Sequence, residues 1–247
     1  MKPMLRPLKY RAIEDELMDD SSMGGGELRE ALRQLRWLNR LFGAAAPCLY
    51  GVRRLWTAAG RPKRLAVLDV GCGSGDVNRQ LLRWADKNGI DMRITLADIT
   101  EEACAEARQL FNNEPRVQVI RCNLFELPAA GADIVTGSQF IHHFADAALP
   151  RVAQSMLKAA RLGVVINDIH RHPLAWLAVW LATRVMSGNR YILNDGPLSV
   201  AKGFRNYDWK RLRGALDGPE LYYSWRPLFR YAVIITDSGA KNSNRSG

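Results

Sequence analysis

The chain has 247 residues, 47% of them hydrophobic and 24% charged, with a formal charge of +10. That length buries a full core unaided, and that usage excludes wholesale disorder, collagen-like repeats and a disulfide scaffold. Its four cysteines, Cys48, Cys72, Cys104 and Cys122, show neither CxxC pairing nor Cys/His ligand spacing, so no metal is expected and a reducing cytoplasm is.

The first zone, residues 1–64, carries a net +6. Its opening stretch, MKPMLRPLKYRAIEDELMDD, lacks the apolar block of a secretory leader. After the break at Gly24, Gly25 and Gly26, a helix is predicted, because Leu28, Ala31, Leu32, Leu35, Leu38 and Phe42 recur at helical spacing. Arg29, Arg33, Arg36 and Arg40 form a second stripe opposite. A further helical stretch precedes Gly60 and Pro62, and the whole zone is expected to form an N-terminal helical cap or lid.

The second zone alternates, and residues 65–200 carry a net −1. Strands are predicted at Leu65–Val70, Arg93–Asp98, Arg116–Arg121, Ala132–Gly137 and Gly163–Asp168. Helices are predicted at Asp76–Lys87, at Thr100–Asn112 with Thr100 as cap, and at Ala145–Arg161. Strands separated by such helices make βαβ units and a mostly parallel sheet. In the third zone an apolar helix is predicted over Leu174–Met186. Its run LAWLAVWLA is shorter than the roughly 18 apolar residues of a bilayer span. A polar, glycine-containing loop is predicted over Ser187–Phe204, with 174–207 forming a lid insertion. A helix near Asp208–Leu216 and two strands, Glu220–Trp225 and Phe229–Thr236, close enough for a hairpin, complete the domain over 65–236. The tail, 237–247, is polar and expected to be disordered. The fold expected is α/β: a Rossmann-like, doubly wound, mostly parallel seven-stranded sheet with a C-terminal antiparallel hairpin and an N-terminal helical cap.

The most informative stretch is Val67–Asp76, VLDVGCGSGD. A strand ends, the chain passes Gly71, Gly73 and Gly75, and a helix begins. Glycines permit positive φ and close approach of a ligand to the backbone, beside the free N–H groups of a helix start. Dinucleotide loops space their glycines G-x-G-x-x-G, whereas the spacing here is G-x-G-x-G. Asp69 and Asp76 flank the loop, which repels phosphate and suits a cationic amino-acid moiety.

The run Asp69-Val70-Gly71-Cys72-Gly73-Ser74-Gly75 resembles the first motif, D-x-G-x-G-x-G, of the class I S-adenosylmethionine-dependent methyltransferases. The resemblance covers about Leu65 to Asp168. It implies that the loop wraps the methionine part of S-adenosyl-L-methionine, the product being S-adenosyl-L-homocysteine. It implies that Asp98, 23 residues after Gly75, holds the ribose hydroxyls and that Ile99 lies against the adenine. Asn123, before Leu124, stands where the family commonly has an acid for the adenine amine, a departure that an amide oxygen accommodates. The end of the fourth strand, at Ser138, is also placed against the cofactor.

The general look is of ubiquinone/menaquinone-type methyltransferases, with a looser similarity to methyltransferases associated with type III polyketide synthases, on Asn167–Arg171 and Asp195–Ser199. The resemblance thus implies a small, hydrophobic, aromatic or lipidic acceptor, methylated on oxygen or carbon in secondary metabolism of quinone or polyketide type. A phenol, with a pKa near 10, gains from a general base. The histidines all follow strands four and five, at the edge where such sheets bind ligands. His143 and His170 are the first candidates, with His142 next. Asp168 orients a histidine or the acceptor hydroxyl, or pairs with Arg171.

Two alternatives stand beside this enzyme. The basic flanks, +6 at 1–64 and +5 at 201–247, suit an RNA methyltransferase, but Gly137-Ser138-Gln139-Phe140 replaces the N/D-P-P-Y/F/W tetrapeptide of base N-methylation, so nucleic acid is the less favoured partner. The other is a non-catalytic cofactor-binding module. Peripheral contact with a membrane stays open, and oligomeric state is not determined by the sequence.

Overall fold

The computed structural model describes residues 8–19 and 25–237. The expected tail thus lies outside the described residues save Asp237, as does Gly24 of the glycine break. Seven strands form one sheet: β1 (Arg64–Val70), β2 (Asp91–Asp98), β3 (Val117–Arg121), β4 (Ala132–Ser138), β5 (Ala160–Ile169), β6 (Glu220–Arg226) and β7 (Arg230–Thr236). Their order is β3-β2-β1-β4-β5-β7-β6. β1 to β5 are parallel, and β7 runs antiparallel between β5 and β6. This is the Rossmann-like sheet and C-terminal hairpin that the alternation in the sequence implied.

The helices are α1 (Gly26–Leu41), α2 (Ala45–Ala58), α3 (Asn78–Asn88), α4 (Glu101–Leu110), α5 (Leu149–Ala159), α6 (Pro173–Met186), α7 (Arg190–Lys202) and α8 (Asn206–Ala215). Because side chains alternate along a strand, Val67, Ile134, Val165 and Ile234 pack toward α2 and α3. Their neighbours Leu68, Val135, Val164 and Val233 pack toward α5 and α8. Both faces are covered, which is why the central strands are near-continuous apolar runs.

Four expectations need correction. The cap divides: α1 covers the carboxyl edge of the sheet, but α2 packs on the sheet itself, where a Cβ on Gly51 would stand 2.3 Å from Val165. The loop placed over Ser187–Phe204 is mostly helix α7. Asn189 caps it by accepting from the Tyr191 N–H, and burial of Tyr191, Ile192, Leu198 and Val200 outweighs the interior Pro197, which lacks an N–H. Gly196 lets α6 approach, since a Cβ there would meet Thr183 at 2.8 Å. α3 starts at Asn78, not Asp76, after a turn through Gly75–Val77. The fifth helix begins at Leu149, behind a 3-10 turn at Asp146–Ala148, and ends at Ala159, so β5 starts earlier than Gly163.

β1 and β4 are neighbours whose connections leave in opposite directions, so a crevice opens at their carboxyl ends. Over it lie α1, α7 and the segment 8–19. That segment is tied down by Arg11, which donates to the carbonyls of Lys202 and His142, each at 2.8 Å, and by the N–H groups of Leu17 and Met18, which donate to Asp195. No helix among the described residues is long and apolar enough to cross a membrane.

Candidate active site

The crevice holds a cavity of about 480 Å³. One wall is the glycine loop. Gly71, Gly73 and Gly75 all have positive φ, at 59, 54 and 72°. A Cβ on Gly71 would overlap Phe140 at 1.9 Å, and one on Gly75 would meet Leu96 at 2.5 Å, whereas at Gly73 nothing lies within 4 Å. Gly71 and Gly75 are thus required by packing, while Gly73 opens the loop toward the cavity. Gly71 and Gly73 line the cavity; Gly75 does not.

Asp69 does not line it either. Its buried carboxylate accepts from Asn78 Nδ2 and from Thr136 Oγ1, both at 2.6 Å. It therefore ties the start of α3 to β4 beneath the loop, and burial pushes its carboxyl up to about 6 despite those bonds. Asp98 lies in the cavity wall. Its Oδ2 accepts from the Gly73 N–H at 2.9 Å, and its Oδ1 from the N–H and hydroxyl of Thr100, each at 3.0 Å. Ile99, Leu124 and Ser138 line the cavity, as does Asn123, whose amide oxygen already accepts from the Phe125 N–H at 3.0 Å.

The opposite wall gathers titratable groups. His142 is 2% exposed. Its Nδ1 meets Asp168 Oδ1 at 2.7 Å, and its Nε2 has no hydrogen-bond partner and faces Glu16 Oε1 at 3.5 Å. Burial alone would lower its pKa, but the carboxylates of Asp168 and Glu16 overcome that and raise it to about 9. His143 stacks on His142, with ring centroids 4.5 Å apart, and its Nδ1 meets Asp19 at 2.8 Å. Both histidines line the cavity; His170 does not. His170 instead accepts from Trp225 Nε1 at 3.3 Å, and burial with the nearby His172, Arg205 and Arg171 lowers its pKa to about 4. Asp168 serves His142, while Arg171 bonds Asp208 at 3.2 Å instead.

Glu16, His142 and His143 offer ligand atoms within 4.8 Å of one another, a spacing compatible with a metal. The buried Lys202 ammonium, 3.7 Å from Glu16 and 3.6 Å from Asp19, already supplies the balancing charge, so the group is better described as a hydrogen-bonded ion cluster. Glu16 and Asp19 were missed by sequence reasoning, as were Asn39 and Gln139. Gln139 Nε2 donates to Asn39 Oδ1 at 2.7 Å, and Asn39 Nδ2 donates to Asp76 Oδ1 at 3.1 Å, a relay that joins α1 to the glycine loop. The one signal for this relay was a polar Asn39 within an apolar helical stripe.

A glycine loop, an acid after β2 and a cavity thus meet at the switch point of the sheet. Residues 67–163 match the methyltransferase domain. The matched stretch runs from β1 into β5 and contains the glycine loop, Asp98, Asn123, His142 and His143. A SAM-dependent methyltransferase from Aquifex aeolicus is similar in structure, with 14% identity, a TM-score of 0.59, and 85% of this chain covering 98% of that one. The citrinin polyketide synthase CMeT domain is similar at 14% identity and TM-score 0.52, over 71% of this chain and 46% of that one. The pyocyanin biosynthetic protein PhzM gives 18% identity and TM-score 0.51, over 70% of this chain and 50% of that one. The chain thus spans about half the length of the latter two. At these identities the likeness is one of fold. No curated protein matches the chain.

Proposed function

We propose that the protein transfers the methyl group of S-adenosyl-L-methionine to a small hydrophobic acceptor, an aromatic or lipidic hydroxyl or ring carbon of phenol or quinone type. The observation that carries this reading is one cavity with the glycine loop and Asp98 on one wall and His142, backed by the buried Asp168, on the other. The residues fit the cofactor: Gly73 leaves open space, Asp98 has about one acceptor position unused for a ribose hydroxyl, and Asp76 offers a carboxylate to an ammonium group. Ile99 stands half-exposed for an adenine face, and Leu124 and Ser138 complete the wall.

When bound, the cofactor supplies a methyl already activated as a sulfonium. The chain's own residues align the acceptor, exclude water and take its proton. Asp168 keeps the proton of the ring on Nδ1, so Nε2, buried against Glu16 in this structure, is the atom neutral His142 offers to the acceptor hydroxyl once Glu16 moves aside. The proton goes to Nε2 as the oxygen gains the methyl, and leaves to solvent afterwards. His142, near 9, and a phenol, near 10, are closely matched for that transfer. Leu32, Leu35, Phe140, Phe144 and Ile192 give the apolar surround that a phenol or quinone ring needs.

The RNA alternative has less support, since Arg33 and Arg36 of the α1 stripe spend their charge on Glu106. The test is thermal unfolding with S-adenosyl-L-homocysteine, on wild type and Asp98→Ala. At about 100 times the dissociation constant, binding adds ~2.7 kcal/mol, a rise of roughly 5–10 °C. Wild type should show that rise and the variant little of it. Transfer of labelled methyl to phenols then tests the acceptor class. No rise in wild type would sink the reading.

A further inference from the structure

Beside the main cavity lies an annex of about 70 Å³. It shares Leu35, Asn39, Gln139, Gly196 and Ser199 with the main cavity, so the two adjoin across these side chains. Its remaining wall is apolar, including Phe42, Val179, Leu228 and Phe229, with one charged residue, Arg230. Arg230 is 5% exposed, and its Nη1 is buried without a hydrogen-bond partner. Among the described residues no carboxylate forms an ion pair with it. Asp168 acts on it from a distance, but that carboxylate is engaged by His142 Nδ1 and the Ile169 N–H, both at 2.7 Å. The contrast is Arg171, also buried, which donates to Leu8, Gly203, Tyr207 and Asp208.

A guanidinium removed from water without a counter-ion costs several kcal/mol. Strained backbone surrounds it as well. Gln139, Leu228 and Phe229 have φ of 53, 60 and 55°, three of the five non-glycine residues with positive φ among the described residues, and all three line the annex. Such strain gathers where a ligand is held.

We propose that Arg230 anchors a carboxylate carried by the acceptor. This rests on the methyltransferase reading for the identity of the ligand as acceptor, though the anion site itself does not. A carboxylate matches the fork of a guanidinium and supplies the missing charge. The annex has room for roughly five water-sized groups, which is a carboxylate and two carbons. The acceptor is then a phenol bearing a short acid side chain, with its ring in the main cavity and its acid in the annex.

The test is calorimetric titration of the full chain with 3-(4-hydroxyphenyl)propanoate and with its methyl ester, with and without S-adenosyl-L-homocysteine. Wild type should bind the acid at least about tenfold more tightly than the ester, as a charged hydrogen bond would give. Arg230→Met should lose that preference, yet unfold at an equal or higher temperature, because an unpaired buried charge has been replaced by apolar volume. Arg230→Lys keeps the charge without the fork and should retain the fold and lose most of the preference. Equal binding of acid and ester, binding of neither, or a preference that survives in both variants would overturn the proposal. So would a lower unfolding temperature for Arg230→Met, which would make Arg230 a structural counter-charge to Asp168. Failure of the homologue to bind, with the acid preference intact, would remove the methyltransferase reading alone.

Discussion

Glu16→Gln removes one of the two carboxylates that face His142 while keeping its shape. The imidazole sits at about 9, against an ordinary 6.5, although it is buried. Asp168, in contact through Nδ1, and Glu16, 3.5 Å from Nε2, together overcome burial. An opposite charge within that distance shifts a pKa by about 1–3 units, and Asp168 has the closer contact. Loss of Glu16 should therefore lower the His142 midpoint by about 1–2 units, toward 7–8. The primary assay is NMR titration of the histidine rings, which needs no acceptor. With an acceptor in hand, kcat/KM for methyl transfer should rise with pH along a limb near 9 in wild type, because His142 takes a proton only once it has shed its own. In Glu16→Gln the limb should move down by the same amount, so the variant should lose least, or gain, near pH 7. A wild-type chain with no histidine titrating above 8, or a variant with an unmoved midpoint, would refute the reasoning.

The glycines of the loop should separate by mechanism. Gly71→Ala drives a Cβ into Phe140 and should unfold many degrees lower, whereas Gly73→Ala meets open space and should cost only about 1–2 kcal/mol of backbone strain while abolishing homologue binding, as unfolding scans with and without ligand will show. Asp69→Asn takes the carboxylate charge out of the bonds from Asn78 and Thr136 and should cost about 1–3 kcal/mol, read by urea unfolding, with S-adenosyl-L-homocysteine affinity falling less than in Asp98→Ala. The raised His142 value also has a stability consequence: its contribution is complete below its unfolded value near 6.5 and is lost as pH rises through about 9. The unfolding temperature of wild type should thus fall between pH 6.5 and 9 more steeply than that of His142→Gln.

The strand–helix alternation and the glycine motif were legible because they rest on local rules. Alternate side chains of β1, β4 and β5 face opposite layers, and a run buried on both faces must be apolar. The loop turns through positive φ at Gly71, Gly73 and Gly75, which glycine adopts freely, and Asp98 ends a strand beside the loop, a fixed interval on. Much of that wall of the cavity follows from those two elements alone. Asp69 shows the limit of such reading: its motif position was plain, but only the packed structure turns its carboxylate under the loop onto Asn78 and Thr136.

The opposite wall of the cavity was decided by tertiary structure. Glu16 lies in a polar stretch without periodicity and reaches His142 only because Arg11, Leu17 and Met18 bind partners far along the chain. Four histidines near two strand ends looked alike as letters. Packing gave His142 two carboxylates, and gave His170 burial with two arginines and a histidine beside it, and so sent their basicities in opposite directions. α7 formed despite Gly196 and Pro197 because burial against α6 and α1 outweighed local propensity. Periodicity and glycine spacing are local, and one chain contains them entire. The charge around a buried group is set by residues from other elements, as Asp168 and Glu16 do for His142, and only the folded chain brings those together.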